Sequence, residues 1–76
     1  MSKLPSVTGN QAIKAFEKEG FSVVRVTGSH HIMKKEGHTY NLSVPLHAGT
    51  PLKKGTLRQL IRDAGLTQDD FIALLD

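Results

Sequence analysis

Cysteine and tryptophan are both absent from this chain, and only four of its 76 residues are aromatic. Without cysteine there can be no disulfide and no thiolate zinc site, which fits a reducing compartment; the cytoplasm is the expected location. Long apolar runs are missing too. The longest, Phe71 to Leu75, spans five residues, against about 20 for a membrane helix, so no membrane role is expected. The opening segment "MSKLPSVTGN" lacks the apolar core of a signal peptide. Phe16, Phe21, Tyr40 and Phe71 are the aromatics. Three of them fit core positions, which leaves no aromatic platform for stacking unpaired bases. A chain this short is expected to be one domain, residues 1–76, close to the smallest size that a single core stabilises unaided. Chemistry, if there is any, belongs on an open surface.

What is present is a lopsided charge. Residues 1–62 hold all ten Lys and Arg against three acids, Glu17, Glu19 and Glu36, a net of +7. Residues 63–76 hold Asp63, Asp69, Asp70 and Asp76 with no base, a net of −4. A small basic body points to a polyanionic partner, nucleic acid first, through phosphate contacts and counterion release.

The order of elements follows from local signals. Thr8 and Gln11 have capping-box spacing, and Ala12, Ile13 and Phe16 mark the inner face of a helix that Gly20 ends. Phe21, Val23, Val24 and Val26 suit a first strand, although their alternation is imperfect. At Gly28 the strand turns or bulges. His30 to Lys35 reads as a second strand, "KEGH" as its tight turn, and Tyr40, Leu42 and Val44, alternating with Asn41 and Ser43, as a third. Pro45 ends that ladder because it has no amide hydrogen. After the loop "LHAGTPLKKG", Thr56 can cap a helix running to about Ala64, with Leu57, Leu60 and Ile61 inward and Gly65 as its stop. Thr67 and Asp70 open a short last helix with Phe71, Leu74 and Leu75. Helix, three strands, helix, helix with short connections predicts an α+β two-layer sandwich. Its three-stranded antiparallel sheet would carry the helices on one face and leave the other open to solvent.

Two constellations bear on chemistry. In "VTGSHHIM", His30 and His31 are adjacent, and consecutive strand residues face opposite sides. The two cannot chelate one metal, and His30, His31, His38 and His47 have no close ligand spacing; no metal or other cofactor is expected. One imidazole can still serve as general acid or base. In "TPLKKGTLRQLIRDAGL", Lys53 and Lys54 precede a helix N-terminus, whose unpaired N–H groups and positive partial charge make a phosphate seat.

Taken in order, "RVTGSHHIM", "SVPLH" and "LKKGTLRQLIRDAGL" closely resemble the HicA toxin family of bacterial toxin–antitoxin pairs. The resemblance runs from the first helix to about Leu66. It implies a double-stranded-RNA-binding-like fold, helix–three strands–helix, and a ribosome-independent mRNA interferase that cuts RNA without a metal. It also implies a HicB-type antitoxin that covers the active histidine. The family's catalytic histidine directly follows Gly-Ser, which maps it onto His30, with Gly28 and Ser29 as the turn that presents it. Val44, Pro45 and His47 match the Val-Pro-x-His segment; Gly55, Thr56 and Leu57 match Gly-Thr-Leu. On this resemblance Lys53, Lys54, Thr56, Lys34 and His47 are the expected RNA-binding residues, and His47 or Lys34 is the candidate second proton-transfer group. Two readings stand beside it: a non-catalytic RNA-binding module on the same basic surface, and a domain whose only ligand is an acidic partner protein.

Overall fold

Thr8 starts the first helix, α1 (Gly9–Lys18), in the way its spacing to Gln11 predicts. Its hydroxyl accepts from the Gln11 amide at 3.2 Å, and the Gln11 side-chain oxygen accepts from the Thr8 amide at 2.9 Å. Each bond satisfies a donor that the helix itself leaves unpaired. Gly20, at φ +111°, turns the chain out of the helix. This computed structural model describes residues 4–75; Lys3 and Asp76 of the charge count lie outside them.

Three strands follow, β1 (Ser22–Thr27), β2 (His30–Lys34) and β3 (Leu42–Pro45), joined as an antiparallel meander in the order β1-β2-β3. Then come α2 (Lys54–Asp63) and α3 (Gln68–Ala73). The architecture is the expected α+β sandwich. Met33 of β2 and Leu42 and Val44 of β3 are buried on one face, together with Ala12, Ile13 and Phe16 of α1 and Leu57, Leu60 and Ile61 of α2. Phe16 packs between two other rings, Phe21 at 6.1 Å and Phe71 at 5.2 Å between centroids.

The imperfect alternation of β1 has a structural cause. Val23 pairs with Met33 and Arg25 with Ile32, so Val24 is an extra residue, a β-bulge. Strict alternation after Val23 would turn Arg25 toward the core. The bulge instead puts both Val24 and Arg25 on the open face and carries Thr27 onto the same face, opposite His30.

Two boundaries differ from expectation by more than one residue. β3 begins at Leu42 rather than Tyr40, and Tyr40 stays 62% exposed. The Lys35–His38 turn forms, its His38 amide bonding the Lys35 carbonyl at 3.0 Å. His38 is then drawn away, its Nε2 lying 2.6 Å from the Asp63 carbonyl and its ring edge-on to Phe21 at 5.3 Å. Residues 39–41 are used in returning to the sheet. The second difference is that Thr56 does not cap α2. Lys53 occupies the cap position, with extended backbone (φ −63°, ψ 142°), and Thr56 is the third helical residue. The Thr8–Pro51 bridge and the 2.7 Å bond from the Leu52 amide to the Val7 carbonyl hold the chain extended up to this point. The helix starts as soon as that pairing ends.

Candidate functional site

The site begins with a two-residue turn. Thr27 pairs with His30, which leaves Gly28 and Ser29 to reverse the chain. Gly28 has φ +58°, and among the described residues no non-glycine has positive φ. A two-residue hairpin with positive φ only at its first position follows the type II′ pattern, for which Gly-Ser is a fitting sequence. The turn is fixed on its far side as well. His30 faces Pro45 across the β2–β3 ladder, and Pro45 has no amide to donate. Leu46 donates in its stead, to the Ser29 carbonyl at 2.7 Å. His30 thus becomes the first residue of β2, exposed, on a turn held by two strands.

Packing behind that anchor is tight. A Cβ built on Gly9 would lie 2.8 Å from the Pro45 carbonyl oxygen and 2.8 Å from Leu46 Cδ1. Alanine is the better helix former by about 1 kcal/mol, but the backbone oxygen of β3 cannot move aside as a side-chain end can. Gly9→Ala is expected to cost about 1–3 kcal/mol through overpacking, read as a lower thermal midpoint. An unchanged or raised midpoint would show that the helix propensity outweighs the contact.

Beside Pro45 lies a cleft of about 270 Å³, lined by Pro45, His47, Thr50, Pro51, Leu52, Lys53 and Thr56. His47 enters it from a turn closed by the Thr50 amide on the His47 carbonyl at 2.9 Å, with Gly49 at φ +76°. The α2 N-terminus enters from the other side. Both α1 and α3 carry capping boxes, and α3 adds Asp69 and Asp70 in its first turn. α2 has no side-chain cap bond and no acid in its first turn. Its first amides and positive dipole end, next to the Lys53 and Thr56 that line the cleft, therefore have no neutralising side chain.

Of the residues expected at the site, the fold brings His47, Lys53 and Thr56 together in this cleft and sets His30 next to it across Pro45. Lys34 stands apart, four residues along β2, about 13 Å at 3.3 Å per residue. Lys54 is turned away: its ammonium donates to the Leu4 carbonyl. His31 takes the helix-side face, pairing with Val44, and its Nδ1 is buried with no hydrogen-bond partner. The two histidines therefore face opposite sides, as strand geometry requires. Among the described residues no three His, Asp or Glu side chains converge, and no helix is long and apolar enough to cross a membrane. Sequence reasoning missed Thr50, Leu46 and Gly9. The only signal for Leu46 was the missing donor of Pro45, and it becomes legible only once the strand register is known.

Comparison with known families shows a match over most of the chain. Residues 9–66, a span of 58 of the 76, match the family described as the HicA toxin of bacterial toxin–antitoxin. No curated protein matches the chain.

Proposed function

The chain belongs to the HicA toxin family, the toxin half of a toxin–antitoxin pair, and on that premise we propose that it is an mRNA interferase in which His30 moves the working proton. RNA supplies its own nucleophile. With its proton drawn off by the His30 imidazole, the ribose 2′-oxygen attacks the adjacent phosphorus. A P–O2′ bond forms, the P–O5′ bond breaks, and the 5′-oxygen leaves with a proton from a second group. The products are a 2′,3′-cyclic phosphate and a free 5′-hydroxyl, with no water consumed in the cut. His47 is the candidate acid, because it shares the cleft beside Pro45 with Lys53 and Thr56. Lys53 and the uncapped α2 amides hold the phosphate charge; Lys54 is not assigned to it.

The observation that supports this reading is the presentation of His30. A turn with positive φ at Gly28, tied to Leu46, sets an exposed imidazole across Pro45 from the cleft that Lys53 and Thr56 line. An open site of this kind fits a polymer substrate. It also fits inhibition by coverage, for which an antitoxin of the HicB type is the proposed partner.

Incubating the purified protein with an unstructured RNA in EDTA tests the reading. The expected result is fragments ending in 2′,3′-cyclic phosphate. In the same assay Lys53→Ala is expected to weaken binding alike for all RNA sequences. It should also lower the slope of log K against log salt by about 0.7, the share of one phosphate contact on a single strand. Salt-dependent binding without fragments would make this an RNA-binding module instead. Binding of neither kind would leave only the protein partner.

A further inference from the structure

The open face of the sheet holds a second basic feature that the cleft does not use. A groove of about 440 Å³ is lined by Val24, Arg25, Ile32, Lys34 and Asn41. Its residues continue the row that His30 begins, since His30, Ile32 and Lys34 alternate onto one face of β2 and Arg25 lies opposite Ile32. None of the three strands contains an acidic residue. Among the described residues neither Arg25 nor Lys34 is in an ion pair, whereas neighbouring Lys35 is bound to Glu19 at 3.4 Å. Two cations thus stand unneutralised on either side of an apolar floor formed by Val24, 54% exposed, and Ile32.

The bulge in β1 is what creates this arrangement, because it re-aims Arg25 from the core side to the open side. We propose that this groove is the path of the RNA strand leaving the scissile phosphate, with Arg25 and Lys34 each holding a backbone phosphate and Val24 and Ile32 packing under a base. The proposal rests on the reading of His30 given above. It commits to single-stranded RNA: in a duplex the base faces are stacked and hidden, and exposed Val24 and half-buried Ile32 would meet only ribose and phosphate. Arg25 suits the role because its planar guanidinium grips phosphate oxygens in pairs.

The test compares wild type with Arg25→Gln and Arg25→Lys on a dinucleotide and on a longer unstructured RNA. The dinucleotide carries only the scissile phosphate and so offers none to Arg25 or Lys34. For the longer RNA, Arg25→Gln is expected to raise KM about tenfold, the scale of one charge-assisted hydrogen bond, with kcat unchanged. Binding of the same RNA, measured in the His30→Ala background, should lose about 0.7 from its salt slope. Arg25→Lys should restore the slope, and the dinucleotide should be cut at the wild-type rate by all three. Lys34→Gln should repeat the pattern. A salt slope unchanged by Arg25→Gln overturns the proposal, as does an equal loss on both substrates. If wild type binds RNA without cutting it and Arg25→Gln still lowers the slope, the path stands and the nuclease reading falls. If wild type does not bind RNA, both fall.

Discussion

Replacing His30 with alanine is expected to slow RNA cleavage by about 10²–10⁴-fold, the usual worth of one general acid–base group. Folding should be unaffected. His30 is exposed at the first position of β2, and the turn before it is held by backbone groups: the Thr27–His30 pairing and the bond from the Leu46 amide to the Ser29 carbonyl. None of these needs an imidazole. Initial cleavage rates and a thermal melt of wild type and His30→Ala, run side by side, separate the two roles. A rate drop at constant melting temperature places the proton transfer on His30. An unchanged rate moves it elsewhere, with His47 the next residue to replace. A rate drop with a lost melting transition would make His30 structural. Expression in cells should follow the same division, with growth arrest by wild type and none by the variant.

Phe16→Ala is expected to be the most destabilising single change in the core, at about 3–5 kcal/mol. Phe16 is fully buried and touches the rings of both Phe21 and Phe71, so its loss leaves a cavity bordered by those two rings. Domains are stable by roughly 0.05–0.15 kcal/mol per residue, which for this chain is about 4–11 kcal/mol. The substitution removes a large share of that. Urea unfolding should show a midpoint far below that of wild type with an unchanged slope, or no folded baseline at all. Tyr40→Ala, at an exposed aromatic outside β3, should change stability by no more than about 0.5 kcal/mol. A cost below about 1 kcal/mol for Phe16→Ala would mean that the three rings do not share one core.

Most of the element order was legible because it rests on neighbours in the chain. Thr8 with Gln11 and Thr67 with Asp70 form the capping boxes that their three-residue spacing predicts. Gly20, Gly28, Gly37 and Gly65 all take positive φ where a turn or helix end was expected. The Gly-Ser turn before His30 and the separation of His30 from His31 by strand parity follow from the same short-range geometry. Thr56 was misread for a related reason. A threonine before Leu57 and Arg58 is a sound local cap, but the pairing of Val7 with Leu52 delivers the chain to Lys53 in a helix-ready direction. A contact spanning 45 residues outweighs a propensity worth about 1 kcal/mol.

The amino-acid sequence by itself determined the two-layer α+β arrangement, the HicA family and the turn that presents His30, because caps, alternation and glycine turns act over a few residues. Tertiary structure alone decided which cations gather where. Lys54 goes to the Leu4 carbonyl, Lys53 and His47 meet in one cleft, and a bulge in β1 swings Arg25 to the open face. Those outcomes depend on strand register and on contacts between distant segments. A side chain's face is set there by its partner across the sheet rather than by its neighbours in the chain.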